Sequence, residues 1–200
     1  MGILKGNLSF FKLKYEGSFP NLLTEVIDRL SNFSFDNIYD ELKYINYGFV
    51  PFNYPEFESF ESAEITFGEY FVFSIRIDEK KVNNNFFLIE FEKAKKQLKQ
   101  ESGKNKLNKS DIEFLKSSVT KKILKDTPPS TNIIEIIIDI NHSSIFASKL
   151  NSKVLDTITH LFNAAFDLNV YRETLLETIK ANIDDLTILD DLINTLPTSI

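Results

Sequence analysis

The chain reads as an α+β protein, with a mixed or antiparallel sheet, covering helices and one projecting basic helical hairpin. Three observations predict this. From Phe67 to Asp78 one parity is mainly apolar and the other mainly polar, the two-residue period of a strand. Asn132 to Ile140 is a near-continuous β-branched run, as expected of a central strand buried on both faces. Between them, residues 82–126 change to the helical period and gather lysines.

The elements follow in order. Leu8 to Tyr15 alternates weakly and predicts a first strand. Pro20 suits a first helical turn, and Leu22, Leu23, Val26, Ile27 and Leu30 follow at helical spacing. Asp36 to Ile45 predicts a short second helix, and Tyr47-Gly48-Phe49-Val50-Pro51 with Pro55 predicts a loop. After the strand ending near Asp78, Phe87, Phe91, Ala94 and Leu98 form one helical stripe that stops at Ser102-Gly103. Phe86 and Ile89 form a second, shorter apolar side, so the start of this helix is expected to be covered from two directions. Ser110-Asp111-Ile112-Glu113 reads as a capping box opening a helix with Ile112, Leu115, Val119 and Ile123 on one stripe, ended by Pro128-Pro129. Ser144 to Ser148 is the expected hairpin partner of the Ile-rich strand. An amphipathic helix carries Val154, Leu155, Ile158, Leu161, Phe162 and Ala165, the short segment Leu168 to Tyr171 follows, and an acidic helical tail is expected over 172–200. The expected organisation is one α+β domain over 1–171, with the hairpin 82–126 inserted, and that tail.

At 200 residues, 42% hydrophobic and 26% charged, the chain is neither a disordered tail nor a membrane span. No apolar run approaches the roughly 18 residues that cross a bilayer. There is no cysteine, which removes disulfides and thiol nucleophiles and suits a reducing cytosol. Met1 to Phe11 has no export signature, and Gly6 stands where a myristoylation motif needs Ser or Thr. A soluble, cytoplasmic protein is expected.

The net charge of −6 argues against a polyanionic partner until its distribution is read. Lys93, Lys95, Lys96, Lys99, Lys104, Lys106, Lys109, Lys116, Lys121, Lys122 and Lys125 lie in one segment with only Glu101, Asp111 and Glu113, a local +8 that leaves −14 for the rest. Binding responds to the local field, so an acidic body behind a basic arm still presents positive potential to a polyanion. The competing reading is a solvated hairpin whose lysines only keep it soluble.

Catalytic motifs are scarce. His142 in a turn and His160 on a helix are the only histidines, and no metal site is expected from them. Asp184, Asp185, Asp190 and Asp191 lack the ligand alternation of a calcium loop. Glu79-Lys80-Lys81 fits half of a metal-dependent nuclease site, which also needs an acid from an adjacent strand; Glu69 has the wrong parity for it, and Asp139 is the other candidate. No phosphate-cradling glycine loop or nucleophile elbow occurs. Tyr47, Phe49, Phe52 and Tyr54 could stack on bases, but core packing is the simpler use of them. No catalytic residue, cofactor or metal is expected.

The order of segments resembles the amino-terminal portion of the RdgC family, bacterial recombination-associated DNA-binding proteins. The likeness runs through Leu8-Ser9-Phe10-Phe11, then Tyr47-Gly48-Phe49-Val50-Pro51 where the family has a Gly-Trp-Val-Pro-like turn. It continues through Arg76-Ile77-Asp78-Glu79-Lys80-Lys81-Val82, then Lys109-Ser110-Asp111 with Leu115-Lys116 and Val119, and Ile138-Asp139. It covers about residues 5 to 171. Ile123-Leu124-Lys125-Asp126 departs from the family's Leu-Leu-Pro, and the acidic tail stands where the family's second half would begin, which leaves ring closure in question. The resemblance implies a ring-shaped dimer that encircles double-stranded DNA without sequence preference and restrains a recombinase.

The resulting expectation is a non-enzymatic, nucleoid-associated protein that binds duplex DNA and is linked to regulation of DNA recombination. The eleven lysines would contact phosphates, and Phe86 and Ile89 would dock on a second subunit of a homodimer or higher homo-oligomer. The alternative is a protein-interaction module of phage or mobile-element type that binds no DNA; a nuclease ranks third.

Overall fold

The computed structural model describes residues 9–38, 42–56, 59–60, 63–103 and 106–173. In chain order the elements are β1 (Phe11–Glu16), α1 (Leu23–Asn32), β2 (Ile45–Val50), β3 (Thr66–Phe67), β4 (Tyr70–Glu79), α2 (Asn84–Ser102), α3 (Lys109–Asp126), β5 (Ser130–Asp139), β6 (Ser144–Ala147), α4 (Ser152–Phe166) and β7 (Asn169–Tyr171). This is an α+β fold whose named strands pair antiparallel. The expected tail lies outside the described residues from position 174 onward.

The chain divides into two units, the first built from Met1–Asn21, Thr66–Val72 and Ile136–Ile200. Here β1 pairs with β6 on one side, Leu13 opposite Ile145, and with β7 on the other, Tyr15 opposite Val170. The end of β5 joins β6 in the hairpin expected from the sequence, Ile136 opposite Ala147 and Asp139 opposite Ser144. Helix α4 is capped by Asn151, whose side chain accepts from the Val154 N–H at 2.9 Å. It buries Val154, Ile158, Leu161, Phe162 and Phe166. The Phe19 ring fills the same core, 4.8 Å from Phe166 and 5.5 Å from Phe71 between centroids.

The second unit comprises Leu22–Ile65 and Phe73–Glu135. Two expectations fail in it. Residues 35–38 and 42–44 are not helical, and Ile45–Val50, with residues 47–50 expected as a loop, forms β2 paired with β4. Gly48 opposite Arg76 explains the loop-like sequence: a Cβ there would lie 2.5 Å from the Phe35 backbone, so glycine marks a close crossing of two chain segments. The crossing segment is held by Phe35 N–H donating to the Phe49 carbonyl at 2.9 Å and Phe49 N–H donating to that of Phe33 at 3.0 Å.

A third correction concerns β4. Its polar side, which alternation assigns to solvent, is buried: Ser74 and Asp78 are fully inaccessible and Lys80 is 1% exposed. Strand β5 departs in the opposite sense. Ile134, Ile136 and Ile138 are fully buried, but Ile133 and Ile137 on the other face are only half-buried.

Candidate nucleic-acid interface on the helical hairpin

Helices α2 and α3 form the basic hairpin. Asn83 opens α2, its side chain accepting from the Asn85 and Phe86 N–H groups at 3.0 and 3.1 Å. Phe87 and Phe91 stack along the expected stripe with centroids 5.8 Å apart. Gly103 ends the helix at φ 65°, a left-handed conformation that glycine adopts without a Cβ clash. The second helix starts two residues earlier than Ser110 implies. Asn108 is its cap, accepting from the Asp111 N–H at 2.7 Å while Asp111 accepts from the Asn108 N–H at 3.2 Å. The capping box is real but uses Asn108 and Asp111, because an Asn followed three residues later by Asp satisfies the same orphan amides.

Helix α3 buries Leu115, Val119, Ile123 and Leu124, whereas α2 buries no residue completely and so packs along one side only. The end of α3 is tied down by side chains. The buried Lys80 ammonium donates to the Leu124 carbonyl at 2.9 Å, and the Thr127 hydroxyl donates to that of Ile123 at 2.6 Å. A cation at a helix C-terminus also matches the helix dipole.

The eleven lysines fall into three groups. Lys93 pairs with Glu90 at 2.7 Å, Lys122 reaches the same carboxylate at 3.7 Å, and Lys95 pairs with Glu92 at 2.9 Å. The hydrogen bond from Lys93, reinforced by Lys122, holds the Glu90 carboxyl below the ordinary range. Lys96, Lys99, Lys106, Lys109, Lys116, Lys121 and Lys125 make no ion pair among the described residues. All seven are exposed except the half-buried Lys99. Lys104 lies outside the described residues. Counting charge from Lys93 omits Glu90, Glu92 and Asp126; over residues 84–126 eleven lysines face six carboxylates, a net of +5.

Phe86 and Ile89 are 50% and 55% exposed and Leu88 is 57% exposed. Their own fold therefore does not cover them, contrary to the expectation of cover from two directions.

The other candidate positions are placed as follows. Lys80 is spent on the Leu124 carbonyl, and Glu79 pairs with Lys81 at 3.8 Å. Asp139 accepts from the His142 backbone N–H and lies 2.8 Å from its ring Nδ1. Among the described residues no three His, Asp or Glu side chains are placed to hold a metal ion. Phe49 is fully buried edge-on to Phe73 at 5.3 Å, while Tyr54 is exposed. No helix among the described residues is long and apolar enough to cross a membrane.

Sequence reading missed the buried polar face of β4. There Arg76 grips Asp78 through two hydrogen bonds, Nε to Oδ1 at 3.0 Å and Nη2 to Oδ2 at 2.7 Å, and its guanidinium lies 4.3 Å from the Phe35 ring centre. Gly48 was the available signal, since a glycine within a strand marks close backbone approach. Compared with known proteins, the chain matches no family model, and no curated protein is significantly similar to it.

Proposed function

We propose that the α2–α3 hairpin binds DNA without sequence preference through lysine–phosphate contacts, as a non-enzymatic, RdgC-like, nucleoid-associated regulator of recombination in the cytoplasm. The observation that carries this is the set of seven lysines on one hairpin that no carboxylate among the described residues neutralises. Lysine suits the task because it is a flexible point charge that follows a phosphate backbone without reading base edges. Each neutralised phosphate releases counterions, so engagement of four to seven lysines gives a log–log salt slope of about −4 to −6.

Fluorescence anisotropy on two unrelated duplexes across a salt series tests this reading. Equal affinities and that slope are expected, and the combined variant Lys96→Glu, Lys99→Glu, Lys121→Glu and Lys125→Glu should lose binding with its melting temperature nearly unchanged. Undiminished binding by that variant overturns the hairpin assignment.

A second reading, a protein-interaction module, is favoured by the exposure of Phe86, Leu88 and Ile89. In the DNA-binding reading these residues seat a second subunit of a homodimer or higher homo-oligomer. Sedimentation of Phe86→Ser/Ile89→Ser against the parent distinguishes the two: loss of self-association supports the subunit contact, and an unchanged monomer favours the interaction module.

A further inference from the structure

We infer that Phe114 stacks on an unpaired DNA base, so that the hairpin prefers gapped or junction DNA to intact duplex. The inference rests on the DNA-binding reading of the hairpin and adds a discrimination that lysines alone do not supply.

Phe114 is 69% exposed, the highest value among the exposed large apolar residues. It sits on α3 opposite the buried stripe Leu115–Val119–Ile123. Ser110, Ser117, Ser118, Lys121 and Lys125 share its outward side at i−4, i+3, i+4, i+7 and i+11, and all are exposed.

The neighbours at one helical turn decide what the ring can do. Ser110, Ser117 and Ser118 are too short to lie across it, and Asp111 is engaged with the Asn108 backbone. A lysine stem at any of these positions could have shielded the ring from water. The helix instead presents a bare aromatic face within a field of unpaired ammonium groups. A lone exposed phenylalanine is ordinary on protein surfaces. One ringed by serines, on the same side as two unpaired lysines, has the two parts of a single-strand site: a cation for the phosphate and a π-face for the base.

Charge complementarity selects the occupant. The lysines call for an anionic partner, and the flat ring calls for a flat apolar face carried on that partner, which an unstacked base offers and a paired, stacked base does not. Within intact duplex the bases are already stacked on one another, so Phe114 adds nothing there and binding rests on the phosphates alone.

The test compares the full chain with Phe114→Ala and Phe114→Trp on a matched duplex and on the same duplex carrying a short single-stranded gap with 2-aminopurine in it. The parent should bind the gapped form about tenfold more tightly and quench the probe, the scale of one stacked base. Phe114→Ala should bind both forms equally at the parent's duplex affinity, with unchanged thermal unfolding, and Phe114→Trp should restore the preference. Equal parent affinity for both forms, or a preference that survives in Phe114→Ala, overturns the stacking role while leaving the DNA-binding reading intact. Failure of the parent to bind either form, with binding to phosphatidylserine vesicles that Phe114→Ala abolishes, overturns both and makes the ring a membrane anchor.

Discussion

The Lys80 ammonium and the Leu124 carbonyl oxygen lie 2.9 Å apart, with both residues almost wholly removed from solvent. The bond reaches from the end of β4 to the last turn of α3 and fixes where the second helix of the hairpin stops. Lys80→Met keeps the aliphatic stem but leaves the carbonyl without this donor. A loss of about 1–3 kcal/mol is expected by chemical denaturation, against no measurable change for the exposed Lys121→Met.

Arg76 and Asp78 make a second prediction. Their side chains are 16% and 0% exposed, and two hydrogen bonds join them, so each charge leans mainly on the other. Asp78→Asn should destabilise the fold by about 3–5 kcal/mol, because it leaves a guanidinium without its counter-charge. The double variant Arg76→Met/Asp78→Leu should cost clearly less than the sum of its single changes. A strictly additive denaturation cycle would refute the coupling.

Gly48 has no room for a methyl group beneath the Phe35 backbone. The obstacle is main chain, which has no rotamer to change. Gly48→Ala is expected to cost about 1–3 kcal/mol, whereas Gly103→Ala, with open space around its Cβ but a φ of 65°, costs only the left-handed strain.

Glu90 restrains two of the hairpin's cations, so Glu90→Gln frees Lys93 and Lys122. If the hairpin binds DNA as proposed, the variant should bind several-fold more tightly and steepen the log–log salt slope by up to about 2. Weaker binding would mean that Glu90 positions the lysines instead of masking them.

Acid stability should report on Asp139. Burial pushes its carboxyl up, but hydrogen bonds from the His142 ring and N–H, with the Asn141 N–H, outweigh this and hold it below the ordinary carboxylate range. A depressed folded-state value contributes stability above the ordinary value, and that contribution is lost as pH falls through the folded one. Asp139→Asn should therefore lower stability at neutral pH and flatten its decline in acid. An unchanged acid profile would show that Asp139 does not drive it.

Sequence periodicity located α3 and α4, because they bury one stripe each, Leu115, Val119 and Ile123 in the first and Val154, Ile158, Leu161 and Phe162 in the second. It also predicts a helix over 36–45, where residues 36–38 and 42–44 are not helical. The Ile-rich strand was legible as a near-continuous β-branched run, and its hairpin partner from the short turn between them. Periodicity failed where one polar face is buried instead of solvated. Ser74, Arg76, Asp78 and Lys80 have the alternation of a wet surface, and only their pairing partners in space reveal otherwise. It failed again at residues 47–50, where the glycine has the signature of a turn although its cause is the crossing Phe35 backbone. In the candidate interface, the lysines could be counted from the sequence. Which of them are neutralised depends on Glu90 and Glu92, which lie just before the first of these lysines, Lys93.

The main-chain bonds between Phe49 and the Phe33–Phe35 segment have a consequence for how this molecule can meet others. They engage the outward-facing amide and carbonyl of Phe49 in β2, groups of the kind through which a foreign strand would zip onto a sheet margin. Around Phe49 that margin is occupied by the chain itself, which takes two of its edge groups out of reach of β-association or peptide capture.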